Sequence, residues 1–181
     1  MKPVKKILAL ILAGVMALAL LTGCGKAASL DRTIAEDMAD YLKYSLSQYG
    51  NGNKISVSYQ VPELSRKIAP LFGANWMSSA DSDNKPNENA VISGTTTVKE
   101  ALQQCLSNYR DASCTVFYAA DITDYANSAL LETYQLLTES EPVVVSGDIN
   151  KATLNATHLR IAATHKTIGE KTFLLAVVIY E

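Results

Sequence analysis

The chain has 181 residues, of which 48% are apolar and 19% are charged, and its formal net charge is −2. This length predicts one domain with a short extension, and the apolar fraction excludes a wholly disordered chain. The first 23 residues carry three lysines and no acid, so the other 158 residues have a net charge of −5. A mildly acidic domain without a block of like charges gives no electrostatic reason to bind nucleic acid.

The N-terminal segment has the pattern of a secretory signal. Three lysines precede an apolar run from Ile7 to Leu21, which is short for a membrane span at about fifteen residues. The run ends at Leu21-Thr22-Gly23-Cys24, which resembles the lipobox of bacterial lipoproteins. The resemblance implies that the Cys24 sulfur receives a diacylglycerol and that the peptide bond before it is then cut.

This processing would divide the chain into three parts. Residues 1–23 would form the signal peptide, residues 24–29 the lipidated N-terminus and a short tether, and residues 30–181 one globular domain. Two acyl chains hold a protein in a bilayer far better than one does. We therefore expect the protein to lie at the cell membrane, anchored by its lipid on the extracytoplasmic face.

The domain alternates between helical and extended patterns. Four segments have the apolar spacing of amphipathic helices, namely 29–49, 62–72, 97–109 and 121–138. Thr97 and Glu100 have the spacing of a capping box at the start of the third helix, and Pro70 must kink or end the second. Five segments have the pattern of strands, namely 54–59, 113–119, 143–145, 157–165 and 172–180.

The last strand predicts the architecture. Residues 173–179 are apolar at every position, which is typical of a central strand covered on both faces. The two final strands form the clearest hairpin, turning at residues 169–171. We therefore expect an α+β fold, a three-layer α-β-α sandwich with a mostly antiparallel sheet that ends in a C-terminal hairpin.

The two histidines do not form a metal site. His158 and His165 are seven residues apart on one predicted strand, so they should point to opposite faces of the sheet. We expect them to be surface or internally hydrogen-bonded side chains. The chain also lacks a nucleophile elbow, a phosphate loop and a dinucleotide fingerprint. The sequence therefore assigns no catalytic residue, no metal and no cofactor.

Two cysteines lie inside the predicted domain. Cys105 falls on a predicted helix and Cys114 opens a predicted strand. Export to an oxidising compartment allows a disulfide between them. The alternative is two buried free thiols, which behave as small apolar side chains. Both alternatives stay open at this point.

Acidic residues gather on the polar loop of residues 77–89. Asp81, Asp83 and Glu88 are oxygen donors of the kind that bind Ca²⁺. Their spacing matches no EF-hand, which favours a solvated loop over a calcium site. A loop of this length is also a candidate for function.

The segment after this loop resembles a known family. Glu88-Asn89-Ala90-Val91-Ile92-Ser93-Gly94 and the helix after it are similar to the "G-E-N-I-A-x-G" segment of the CAP superfamily, which comprises cysteine-rich secretory proteins, antigen 5 and pathogenesis-related proteins. Residues 61–69 and 154–162 are similar to two further stretches of that family. The resemblance implies an α-β-α sandwich and carries over Glu88 alone as a groove residue. We expect Asn89, Asp81 and Asp83 to lie beside it in the same groove.

The chain differs from the family at the residues that form the family's cavity. Asn87 stands where the family has glycine, and neither of the family's cavity histidines has a counterpart. Imidazole is the ligand that zinc favours in such a cavity, so no zinc site of the family's kind is expected. The resemblance therefore implies a degenerate domain that binds rather than cleaves.

Three functions follow as hypotheses. The first is a lipid-anchored, non-catalytic binding domain for a small apolar ligand, a peptide, a wall component or an envelope protein. The second is a cell-wall hydrolase in which Glu88 works with Asp81 or Asp83, which requires the two carboxylates to be about 5 to 10 Å apart. The third is an assembly lipoprotein with no small-molecule site. The sequence favours a non-catalytic protein over an enzyme.

Overall fold

The computed structural model describes residues 26–49, 55–78, 85–125, 132–133, 136–137 and 140–181. Its helices are α1 (Lys26–Tyr49), α2 (residues 62–71), α3 (Val98–Cys105) and α4 (Ile149–Asn155). Its strands are β1 (Ser56–Ser58), β2 (Val91–Ser93), β3 (Thr96–Thr97), β4 (Cys114–Asp121), β5 (Val143–Gly147), β6 (His158–Ile168) and β7 (Lys171–Tyr180). Short 3₁₀ turns cover Ala74–Trp76, Ser107–Tyr109 and Thr123–Tyr125.

Five strands form the main sheet in the order β1-β6-β7-β4-β5. The pairing of β1 with β6 is parallel, and the other three pairings are antiparallel. The C-terminal hairpin of β6 and β7 is therefore at the centre, where every residue from Phe173 to Tyr180 is buried. The predicted α+β fold with a mostly antiparallel sheet and a terminal hairpin is confirmed.

Helices cover both faces of this sheet. One face packs against α1 and α4, where Ile34, Met38 and Leu42 of α1 meet Val116 and Val178 of the sheet. The other face packs against α2, α3 and the 3₁₀ turn at Trp76. On that side Phe72 makes tilted and edge-on ring contacts with Trp76 and Phe173. The two apolar layers give the predicted three-layer arrangement.

The second helix starts and stops at its prolines as expected. It begins at Pro62 and ends at Leu71, one residue after Pro70. Its middle, Leu64–Ile68, has π-helical hydrogen bonding, and Leu64 and Ile68 are buried against the sheet. Such π-turns are rare and often lie beside functional features.

Helix α3 begins with the predicted capping box. The Thr97 hydroxyl accepts a hydrogen bond from the Glu100 backbone amide, and the Glu100 carboxylate accepts one from the Thr97 amide at 2.8 Å. Directly before it, β2 and β3 form a two-stranded hairpin that the sequence did not indicate. The hairpin holds the Glu88 segment against the start of α3.

Two other elements differ from expectation. Helix α1 begins at Lys26, inside the predicted tether of residues 24–29, because the residues from Lys26 to Ala28 include good helix formers. Helix α4 was not predicted, and Asp148 caps it by accepting hydrogen bonds from two backbone amides. The predicted start of the helix 121–138 is wrong, because Asp121 ends β4 and Thr123–Tyr125 is a 3₁₀ turn, whereas the described residues 132–133 and 136–137 are helical. Within the described residues, no helix is long and apolar enough to cross a membrane.

Candidate functional site

Glu88 lies in a cavity of about 570 Å³ at one end of the sheet. Just before Glu88, Pro86 forms an antiparallel bridge with Met77, and the Ser78 amide donates to the Lys85 carbonyl at 2.8 Å. The Glu88 carbonyl then accepts a hydrogen bond from the Lys99 amide, in the first turn of α3, at 3.0 Å. Glu88 is thus positioned by the same turn that starts α3.

Two ion pairs supply the charge of this Glu88 cavity. The Lys99 ammonium contacts the Glu88 carboxylate at 2.9 Å, and the Lys85 ammonium contacts the Glu141 carboxylate at 2.8 Å. Glu88 and Lys99 each keep about 40% of their side chain exposed. Pro142, Val143 and Val144 contribute the apolar part of the lining. The cavity is therefore lined by two cations and two anions, each of them partly exposed.

The predicted groove residues do not all lie at the cavity. Glu88 lines the cavity, whereas Asn89 does not, and Asn87 lines it instead. The Asn87 side chain accepts a hydrogen bond from the Asn89 amide at 3.1 Å, which fixes the turn between them. Asp81 and Asp83 lie outside the described residues. The sequence missed Lys85, Lys99 and Glu141, because a lone lysine or glutamate carries no local signal of a partner.

The histidines lie on opposite faces of β6, as predicted, and both are hydrogen-bonded. His158 contacts the hydroxyls of Ser56 and Ser58 on β1, at 2.6 Å from Nδ1 and 3.0 Å from Nε2. Glu181 lies 3.9 Å from the same Nε2. In a serine–histidine–carboxylate triad the acid and the serine contact different ring nitrogens. Ser56 and Glu181 lie at different ring nitrogens, but 3.9 Å is too long for a hydrogen bond, and Glu181 pairs with Arg160 at 3.0 Å instead. Glu181 therefore does not orient the ring, and the group does not have the geometry of a hydrolytic triad.

His165 joins two carboxylates in what we call the His165 bridge. Its Nδ1 contacts Asp31 of α1, and its Nε2 lies 3.2 Å from Glu132. Burial alone would lower the pKa of His165, but the hydrogen bonds to Asp31 and Glu132 outweigh burial and raise the pKa to about 9. Because both ring nitrogens are engaged, the imidazole is a structural cation rather than a general base.

Asp37 is a further carboxylate with a perturbed pKa. Burial, together with the nearby Asp40 and Glu36, raises its pKa to about 6. Perturbed values often mark functional sites, but ion-pair networks and burial also produce them. Asp37 lies on α1 and lines neither the Glu88 cavity nor a second cleft, which lies beside residues 161–164 of β6. It therefore marks no site.

Both cysteines of the domain are buried free thiols in this structure. Cys105 belongs to the apolar layer of α2 and α3, whereas Cys114 belongs to the layer of α1 on the other face of the sheet. The structure therefore does not bring the two sulfurs together. Burial raises the pKa of both thiols, that of Cys114 to about 11 with a contribution from Asp148. Neither is a reactive nucleophile.

Among the described residues, no group of three or more histidine, cysteine, aspartate or glutamate side chains is placed to hold a metal ion. Neither histidine lines the Glu88 cavity. The chain matches no protein-family model, no curated protein and no solved structure.

Proposed function

We propose that this protein is a lipid-anchored, non-catalytic binding protein of the bacterial cell envelope. The lipobox pattern that ends at Cys24 supports the anchor. Helix α1 begins at Lys26, only two residues after that cysteine. A lipid on Cys24 would therefore hold the folded domain directly against the membrane surface, on the extracytoplasmic side.

We also propose that the domain is a degenerate relative of the CAP superfamily. The three-layer sandwich and the C-terminal hairpin agree with the fold that this resemblance implies. The single observation that carries the binding function is the position of Glu88, the one cavity residue that the resemblance transfers, in a concave site. With no imidazole beside it, Glu88 is suited to hold a ligand rather than a catalytic zinc.

The charges of the Glu88 cavity favour a polar ligand over a small apolar one. Half-exposed ion pairs contribute only about 0–1 kcal/mol, so a ligand replaces them at little cost. A ligand carboxylate would take the place of Glu88 at Lys99, and a ligand ammonium would contact Glu88 or Glu141. Fragments of cell-wall peptide carry both groups. We therefore propose a wall-peptide fragment as the ligand.

Replacing Lys99 by methionine tests this assignment. An ion pair in this half-exposed cavity contributes up to about 1 kcal/mol, so losing it is expected to weaken binding of soluble wall-peptide fragments by up to about fivefold. Isothermal titration calorimetry on the detergent-purified protein measures the change. The matched control is Lys151→Met, because Lys151 is an exposed lysine that pairs loosely with Asp148 on α4. Its affinity should equal that of the wild type.

Two results would contradict the proposal. One is the absence of any heat of binding with the unmodified protein. The other is equal loss of affinity in the Lys99 and Lys151 variants, because a nonspecific charge effect would then explain the binding. Release of soluble fragments from intact wall material, abolished by Glu88→Gln, would favour the hydrolase instead.

A further inference from the structure

In the part of the chain that the structure describes, strand β6 has no pairing strand on one side over most of its length. Strand β1 pairs with β6 only over three residues, from His158 to Arg160. Strand β6 continues to Ile168, and the chain leaves the sheet after Ser58. Among the described residues, no strand pairs with β6 on this side beyond Arg160. Eight residues of β6 therefore form a free edge about 26 Å long.

The backbone amide and carbonyl groups of β6 point alternately toward β7 and toward the open edge. His158 and Glu181 exchange both of their backbone hydrogen bonds, at 3.0 and 2.9 Å. In an antiparallel pair, such residues alternate with residues whose amide and carbonyl groups point the other way. Ile161, Ala163 and the following odd-numbered residues of β6 therefore direct these groups away from β7. They point toward the open edge.

A cleft of about 510 Å³ follows the first part of this edge. Its floor is formed by residues 161–164 of β6, in which Ala163 faces the layer of α1 and Ala162 faces the layer of α2, so that these small side chains leave room on both faces of the strand. One wall comes from α1 and the other from the start of α2. The segment of residues 59–61, which leads from β1 to α2, closes one end. The volume is within the usual range of about 300–1,000 Å³ for ligand sites.

Both walls of the cleft are fixed to β6 by neighbouring side chains. The His165 bridge holds α1 through Asp31. On the opposite face, the Lys166 ammonium donates hydrogen bonds to the carbonyls of Ala69 and Phe72 at the end of α2, at 2.5 and 2.7 Å. Because consecutive residues of a strand point to opposite faces, adjacent positions secure both helices. The cleft is thus formed before anything binds, which lowers the entropic cost of binding.

We propose that this edge binds an extended peptide segment of a protein partner, which adds to the sheet as a strand in line with β1. Only an extended backbone supplies donors and acceptors at the spacing that the edge presents. Two copies of this chain would not pair through this edge, because it is recessed between the same two helices in both copies. The narrow floor favours small or β-branched side chains in the bound segment. This site is separate from the Glu88 cavity.

A proline at position 163 tests the proposal. The Ala163 amide points to the open edge, so Ala163→Pro removes a donor for the bound peptide but no hydrogen bond to β7. Random decapeptides displayed on phage would be selected on the detergent-purified protein, and the selected sequences synthesised. We expect Ala163→Pro to weaken their binding at least tenfold. Lys99→Met, in the Glu88 cavity, should leave it unchanged.

A second test uses the unmodified protein and peptides whose backbone amides are methylated. This test is needed if the proline variant does not fold. N-methyl groups at alternate peptide residues should abolish binding, whereas those at the intervening residues should be tolerated. The proposal is overturned if no peptide is enriched, if methylation acts without this alternation, or if a folded Ala163→Pro protein binds as well as the wild type. If the protein self-associates and Ala163→Pro abolishes this self-association, the proposal is also overturned, because the edge then binds a second copy of the chain.

Discussion

Replacing His165 by glutamine is expected to lower the free energy of unfolding by about 3 kcal/mol near pH 6, and by much less above pH 9. The pKa of His165 is raised from 6.5 to about 9 in the folded protein, which corresponds to about 3 kcal/mol. Since the folded pKa is the higher one, this stabilisation is fully present below pH 6.5 and is lost as the pH rises through 9. The Glu132 side chain is only 1% exposed, so removing the cation also leaves a buried carboxylate uncompensated.

Chemical denaturation at intervals from pH 6 to pH 10 measures this difference. The matched control is His158→Gln, because that ring contacts serine hydroxyls rather than a buried carboxylate. We expect the control to cost about 1 kcal/mol or less. A His165 variant as stable as the wild type at pH 6, or a deficit that grows as the pH rises, would show that the His165 bridge does not stabilise the fold.

Replacing Gly147 by alanine is expected to cost about 3 kcal/mol or more. Gly147 ends β5 with a φ of +79°, and a Cβ added there would lie 2.1 Å from the Ser113 carbonyl oxygen and 2.8 Å from the Cys114 Cα. The left-handed backbone costs an L residue about 1–2 kcal/mol, and displacing a central strand adds about 1–3 kcal/mol. Both contacted atoms belong to the backbone, so no side-chain rotation relieves the overlap. Thermal or chemical unfolding measures the loss.

Gly94 provides the matched control for this substitution. Its φ is +56°, but an added Cβ would meet no atom within 4 Å. Gly94→Ala should therefore cost only the strain of the left-handed backbone, about 1–2 kcal/mol. Equal stability losses in the two variants would mean that the close approach of β5 to β4 does not limit position 147.

The sequence predicted the elements whose residues carry a strong local pattern. Strand β7 is apolar on both faces, and it lies between β6 and β4 with helices above and below. The capping box at Thr97 was visible because its two residues are three apart. Helix α4 was missed because it has seven residues and only Ala152 among them is buried. A helix this short shows no apolar periodicity.

The candidate sites depend on residues that are distant in the chain. Asp31 and Glu132 lie 134 and 33 positions from His165. The parallel pairing of Ser56 with His158 also joins residues that are far apart in the chain. A local pattern predicts a strand but not its neighbour, so neither the His165 bridge nor the open edge of β6 was predictable. Glu88 was singled out as an acidic residue of its loop and again through the family resemblance, but neither gave any indication of its partner Lys99.

The mass of the mature protein, extracted from the membranes of bacteria that produce it, tests the proposed envelope lipoprotein most directly. We predict a chain that begins at Cys24 and carries a diacylglycerol on that residue. Labelling with radioactive palmitate should be lost in Cys24→Ser and kept in Cys105→Ser, which removes a different thiol. A mature chain cut at another bond and free of lipid, or a label that persists in Cys24→Ser, would contradict the proposed anchor.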